Sequence, residues 1–292
     1  MKQPMTLSAI SAAPRALEWL NTTRTAHPLH IFDQVVNLVN QDARVLSIVS
    51  PIVGNGPFSL MVNEGGFLES VSLNSPISFE QDVLMVGELS IDCSHLEPWT
   101  PRPAWNPLSR SQIKHLKQRI SAELDAIKEA LNFPEVLSSV GERVQLGSGF
   151  LREASQGMEQ IRTGFELVER QPILNGAAKL AGLGMGLTPA GDDFLIGMFH
   201  GLWARAGEGT KPLCRAIADK AIPRTGTLSA AWLDAASKGE ATQAWHNFLE
   251  AVWVGDEDRL HSSLEEILLT GETSGADALS GFTFILKQEQ VL

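Results

Sequence analysis

Pro98-Trp-Thr-Pro-Arg-Pro-Ala-Trp-Asn-Pro107 separates two kinds of hydrophobic pattern. Four prolines in ten residues cannot join a helix or a central strand, so this segment reads as a stiff, extended connector. It places a boundary between a β-rich N-terminal domain, residues 1–106, and a helical domain, residues 107–292. The expected fold class is α+β: a small antiparallel β sheet or barrel, then a mainly α-helical domain.

Upstream of the connector, residues 28–97 read as β structure. Val45-Leu-Ser-Ile-Val49, Phe58-Ser-Leu-Met-Val62, Phe67-Leu-Glu-Ser-Val-Ser-Leu73 and Val83-Leu-Met-Val86 are short apolar or alternating runs, and Ser90-Ile-Asp-Cys93 adds one more. Turn material lies between them: Gly54-Asn-Gly-Pro57, read as a hairpin turn, Asn63-Glu-Gly-Gly66 and Asn74-Ser-Pro76. Lys2 with the stretch Met5–Ala13 faintly resembles a signal peptide. It is short and hydroxyl-rich, so it is read as an ordinary N-terminal segment.

Downstream, the period changes. Ser109 or Ser111 can cap a helix that carries Ile113, Leu116, Ile120, Leu124, Ile127 and Leu131 at three- and four-residue spacing. Further helices are expected over 152–169, 189–206, 211–221, 227–238, 241–253, 257–269 and 275–287.

Composition narrows the class of partner. A formal net charge of −11 repels nucleic acid and anionic membranes. No apolar run is long enough to span a bilayer. The two cysteines, Cys93 and Cys214, are far apart and lack metal-ligand spacing, which reads as two buried thiols in a reducing, cytoplasmic setting.

The chemistry-bearing stretch is Gly182-Leu-Gly-Met-Gly-Leu-Thr-Pro-Ala-Gly-Asp-Asp193. Alternating glycines run into Thr188-Pro189, a threonine cap before a first-turn proline. Phe194, Leu195, Met198, Phe199, Leu202 and Trp203 then form an apolar helical stripe. A loop that feeds a helix start exposes backbone N–H groups at the positive end of the dipole, so Gly184, Gly186 and Thr188 suit an anion. Asp192 and Asp193 fall in the first turn. From Asp193, the positions one and two turns on are Gly197, His200 and Gly201, a small polar face that a ligand or another helix can approach. The Rossmann pattern does not fit, because Leu187 and Pro189 stand where its third glycine belongs, and the Gly-Lys-Ser/Thr of a P-loop is missing. A capping loop with two acidic residues on the helix dipole accounts for the stretch equally well.

Gly191-Asp-Asp-Phe-Leu-Ile-Gly197 is echoed by Gly275-Ala-Asp-Ala-Leu-Ser-Gly281, preceded by the potential caps Thr273 and Ser274. Each copy puts a carboxylate in a first helical turn and a glycine one turn later. Chance and common capping chemistry compete with a functional reading of so short a repeat. On the functional reading, the two helix starts face one shared pocket holding Asp193 and Asp277.

Gly184-x-Gly186-Leu-Thr-Pro189-x-x-Asp192-Asp193, followed by Thr273-Ser-Gly-Ala-Asp277-x-Leu279-x-Gly281-Phe282, resembles a bacterial family, AllH. One of its members is a subunit assigned to oxamate carbamoyltransferase in allantoin breakdown, a branch of purine degradation. The resemblance covers the helical half; the N-terminal half is similar only in being β-rich. It implies a multi-subunit transferase with partner chains and a small anionic substrate: carbamoyl phosphate with oxamate, or oxalurate in reverse. Asp192, Asp193 and Asp277 are the candidate catalytic residues. Gly184, Gly186, Thr188, Thr273, Ser274, Arg224 and His200 are the candidate substrate-binding ones.

Other chemistries compete. Arg224-Thr-Gly-Thr-Leu-Ser229 offers a cation and hydroxyls that could clamp a carboxylate or phosphate, or simply a capped helix with a solvated arginine. His200 could work with Asp193, or be a partly buried core histidine. The three aspartates could hold a divalent cation through oxygen ligands, as in a metal-assisted hydrolase, although no specific metal motif is present. No Gly-x-Ser-x-Gly elbow exists, which excludes the common serine hydrolase pattern. A non-catalytic assembly partner of such a transferase would use the same motifs for folding.

Overall fold

A computed structural model of the chain describes residues 5–131 and 149–291. Two compact units emerge: Met1–Arg102 with Ala241–Gln243, and Pro103–Glu240 with Ala244–Leu292. Each has its own apolar core. Among the described residues no helix is long and apolar enough to cross a membrane.

The first unit is a nearly closed, barrel-like sheet. Its strands are β1 (Met5–Ala12), β2 (Ala26–Ile31), β3 (Val35–Asn40), β4 (Val45–Val49), β5 (Ser59–Val62), β6 (Ile77–Glu80), β7 (Val83–Val86), β8 (Leu89–Asp92) and the two-residue β9 (Glu97–Pro98). They lie in the order β2-β3-β4-β5-β1-β8-β7-β6, with β9 also against β1. Hairpin neighbours pair antiparallel, whereas β1–β8, β1–β9 and β4–β5 are parallel. Leu7, Ala9 and Ser11 alternate inward along β1, so the segment read as an ordinary N-terminal stretch is a central strand; Lys2 lies outside the described residues. Helix α1 (Pro14–Thr22), also unforeseen, buries Ala16, Trp19 and Leu20 against this core.

Two local expectations are corrected. Phe67–Leu73 is not a strand. Gly66 takes a left-handed φ of 90°, its N–H and that of Phe67 donate to the Asp33 carbonyl, and a 3-10 turn follows over Phe67–Glu69. Burial of Phe67 and Val71, four residues apart, follows that turn rather than a strand's alternation. Nor is Gly54–Pro57 a hairpin turn, because β4 and β5 run parallel. Asn55 is instead a buried junction: its Oδ1 accepts from the Ser11 hydroxyl at 2.8 Å, and its main chain exchanges bonds with Gln243.

The second unit is helical: α2 (Arg110–Leu131), α3 (Gly149–Leu167), α4 (Arg170–Leu180), α5 (Ala190–Ala206), α6 (Lys211–Ala221), α7 (Thr227–Ser237), α8 (Gln243–Val254), α9 (Glu257–Leu268) and α10 (Ser274–Lys287). Leu116, Ile120 and Leu124 form the buried stripe of α2, as its spacing predicts; the side chains of Ile127 and Leu131 lie outside the described residues. Seven further helices match the periodicity, and α4 is added to them. Cys93 and Cys214 are buried free thiols. Burial pushes their pKa values up to about 11 and about 12, so both are unreactive thiols at neutral pH.

Helices α5 and α10 form the centre of this unit. The first buries Phe194, Leu195, Met198, Phe199, Leu202 and Trp203 completely, and the second is buried from Gly275 through Leu286. Helices covered on every side need no polar face, so the aspartates, glycines and hydroxyls along them require a separate explanation.

Candidate functional site

The two Gly-x-Asp-x-Leu-x-Gly runs are brought together. A Cβ added to Gly197 would collide with the main-chain carbonyl of Ala278, and one added to Gly281 with that of Phe194. Phe194 and Ala278 occupy the same place in their respective runs, so each copy offers its late glycine to the other's carbonyl. One turn on, Gly201 leaves room for Ile285 and the Phe282 carbonyl. These pairings require α5 and α10 to run in the same direction, at one level, with backbones in contact. The first glycines are matched too: Gly191 packs on the carbonyl of Leu180 and Gly275 on that of Ile267, each near the end of the preceding helix.

The helix starts therefore lie side by side. Thr188 Oγ1 and Ser274 Oγ are 3.0 Å apart and half-buried. Below them Asp193 is 5% exposed and Asp277 is 1% exposed, each in the fourth position of its helix. Burial raises the Asp193 pKa to about 7; the Asp277 and Asp192 charges push the same way, and the hydroxyls of Ser274 and Thr188 oppose the shift. Asp193 Oδ2 has no hydrogen-bond partner among the described residues.

Capping does not follow the simple expectation. Pro189, not Thr188, is the N-cap of α5, and neither Pro189 nor Thr273 makes a side-chain cap bond. Thr188 turns to Ser274 instead, across the helix pair. The glycine loop has φ of 72°, 128° and 96° at Gly182, Gly184 and Gly186, all in the region that favours glycine. Its N–H groups are not all available: Gly182 N donates to Asp192 Oδ1 at 2.9 Å, so the protein's own carboxylate takes part of the helix-start field. Gly186, with its neighbours Met185 and Leu187, is exposed.

Asp192 is fully buried and plays a different part from Asp193. Its Oδ2 accepts a hydrogen bond from the Thr225 hydroxyl, and burial raises its pKa while Thr225, Gly182 and Ser229 oppose the rise. Thr225 and Ser229 escaped the sequence reading as site residues; only the hydroxyl-rich run after Arg224 hinted at them. Arg224 itself is exposed, in a 3-10 turn over Ile222–Arg224.

His200 is not paired with Asp193. Its ring lies 5.8 Å from that of Trp105 and 4.8 Å from that of Trp245. Burial, with a smaller contribution from His246, lowers its pKa to about 3, so it is a neutral imidazole. Among the described residues no group of three His, Cys, Asp or Glu side chains could hold a metal ion. Asp193 and Asp277, with the Thr188 and Ser274 hydroxyls, are the oxygen donors that could contribute to a cation site.

No solved structure matches the chain. Residues 8–98 match the AllH family N-terminal domain, which spans the sheet unit. Residues 180–286 match the family described as oxamate carbamoyltransferase subunit AllH, a span that runs from the end of α4 through α10 and contains both aspartate motifs. The chain belongs to the AllH family of oxamate carbamoyltransferase subunits.

Proposed function

We propose that this chain contributes a substrate site to an oxamate carbamoyltransferase-like enzyme. The reaction moves a carbamoyl group between carbamoyl phosphate and oxamate, with oxalurate as the carbamoylated partner, in allantoin and purine degradation. One observation carries the reading: Asp193 and Asp277, from two matched motifs, sit at one level beneath a hydroxyl rim, on helices packed backbone to backbone.

In the transfer, the oxamate amide nitrogen attacks the carbamoyl carbon. A C–N bond forms, the C–O bond to phosphate breaks, and one N–H proton must leave the nitrogen and reach the departing phosphate. A carboxylate with a pKa of about 7 is matched to taking and returning that proton at neutral pH. Burial, assisted by the Asp277 charge, keeps the Asp193 pKa high, and Thr188 and Ser274 orient the amide. The Gly184–Gly186 backbone, half-buried at Gly184 and exposed at Gly186, and the paired helix starts serve the anionic end. Carbamoyl phosphate and oxamate each combine an anion with an amide, which suits a site that offers helix starts beside carboxylates.

A second reading, a non-catalytic assembly partner, draws on a specific observation too: Gly191, Gly197, Gly275 and Gly281 are all required by packing, and Asp192 is committed to internal bonds. The experiment that separates them is reconstitution with the other subunits of the enzyme, assayed with carbamoyl phosphate and oxamate. Asp193→Asn is expected to lower kcat by about 100-fold or more while the variant chain still assembles. Unchanged turnover in that variant would leave only the assembly role.

A further inference from the structure

The Asp192 carboxylate joins two segments that the sequence keeps far apart. Oδ1 holds the Gly182 N–H at 2.9 Å, and Oδ2 holds the Thr225 hydroxyl. Nearby, Ser229 Oγ reaches the Leu187 carbonyl at 3.5 Å, a second tie between the start of α7 and the far end of the glycine loop. Gly182 has no side chain because the Arg224 carbonyl occupies that space. The turn that carries Arg224 is thus held against the first glycine of the loop.

Burying a carboxylate to make these ties is costly, and apolar contacts would join two segments at lower cost. What the carboxylate adds is a fixed register between the loop and the turn. The residue whose backbone is held there is an exposed arginine, paired with no carboxylate among the described residues. In a chain of net charge −11, a small anion needs a local cation to be retained. A guanidinium offers a planar fork that matches the two oxygens of a carboxylate or phosphate.

We infer that Arg224 binds the oxyanion end of the substrate and that Asp192 and Thr225 are positioning residues, which set Arg224 beside the glycine loop. This rests on the proposed transferase site and adds to it. Asp193 and Asp277 handle the amide, while Arg224 reads the charged end. Asp192 accordingly acts through Arg224 and does not touch the reacting atoms.

The test uses the full chain, with inorganic phosphate and oxamate titrated separately by calorimetry, and then the reconstituted enzyme. Arg224→Ala is expected to weaken binding of one of the two anions by about tenfold or more, with an unchanged melting temperature in the absence of ligand. Loss for phosphate alone assigns the phosphate end to Arg224, and loss for oxamate alone assigns the carboxylate end. Thr225→Val is expected to weaken the same anion several-fold and to raise KM with kcat retained, while Thr225→Ser, which keeps the hydroxyl, restores both. If the wild-type chain binds an anion and Arg224→Ala binds it equally well, or if Thr225→Val leaves KM unchanged, this inference is overturned while the proposed site stands. If the wild-type chain binds neither anion, the anion pocket of the proposed function fails and takes the inference with it.

Discussion

Gly197 in α5 lies flat against the main-chain carbonyl of Ala278 in α10, with no space for even a methyl group. Gly281 repeats this contact in reverse on Phe194. The close approach that brings the two carboxylates to one level depends on these two hydrogen atoms. Gly197→Ala and Gly281→Ala are each expected to destabilise the helical unit by about 1–3 kcal/mol through overpacking, despite alanine's better helix propensity. Chemical denaturation checks this; unchanged midpoints would mean that the helices can separate freely. By contrast, Gly209→Ala should be nearly neutral, since nothing lies within 4 Å of a Cβ built there.

The periodicity of the chain carried most of the helical unit, because α5 to α10 have strong apolar stripes and clear ends. Helix α4 is not among the expected helices: its Pro172 stands in the first turn, where its absent N–H costs nothing, and its Gly176 is where α3 comes close. In the sheet unit, β1 was missed for a different reason. Its inward positions are Leu7, Ala9 and Ser11, of which only Leu7 is large and apolar, too weak a signal to announce a central strand; what makes them central is pairing with β5 and β8, far along the chain.

The same distinction applies to the site. Repeated spacing pointed to Asp193 and Asp277, and the structure puts them together. Asp192 looked equivalent to Asp193 because the two are adjacent. A helix turns by 100° per residue, so one carboxylate faces the Thr225 turn and the other faces α10. Nothing in the local sequence tells which neighbour each will meet.

The glycine loop allows a simpler test. At Gly186 a side chain would have open space, so the only obstacle is the left-handed φ of 96°. Gly186→Val is expected to cost about 1–2 kcal/mol of stability and to reduce the gain in melting temperature given by phosphate or carbamoyl phosphate. Thermal shift assays with and without each anion check both. Equal anion-dependent shifts in wild type and variant would remove the loop backbone from the binding site.

Arg205 closes the other end of the helix pair. Its guanidinium donates to the carbonyls of Ile285, Gln288 and Glu289 at the C-terminus of α10. Arg205→Ala is expected to cost about 1–3 kcal/mol by leaving those acceptors without a charged donor, and Arg205→Lys to recover only part of it. The readout is a urea midpoint, and a neutral Arg205→Ala would show that water replaces the guanidinium at no cost.

Two buried groups on α5 set opposite pH dependences. Asp193 has its pKa raised from 3.8 to about 7, so between those values the folded state holds more protons than the unfolded state. Its contribution to stability therefore falls as pH rises from about 4 to about 7 and is constant above that. His200 has its pKa lowered from 6.5 to about 3, so the unfolded state holds the extra proton, and stability is lost as pH falls from 6.5 toward 3. Between pH 4 and 6.5 the two slopes oppose each other, each with a limit of about 1.4 kcal/mol per pH unit. Asp192, whose pKa is also raised by burial, adds to the Asp193 side. The Asp193 and His200 contributions accordingly oppose each other in this window, and Asp192 leaves a net fall in wild-type stability as pH rises. Asp193→Asn should gain on wild type steadily from pH 4 to 7 and then hold its advantage. His200→Asn should show its greatest advantage at the acid end and lose it by pH 6.5. Urea denaturation of the three proteins at half-unit pH steps measures the difference curves directly. A flat difference for Asp193→Asn across pH 4 to 7 would mean that its carboxylate titrates at an ordinary value, and that it lacks the neutral-pH proton affinity which the proposed transfer requires.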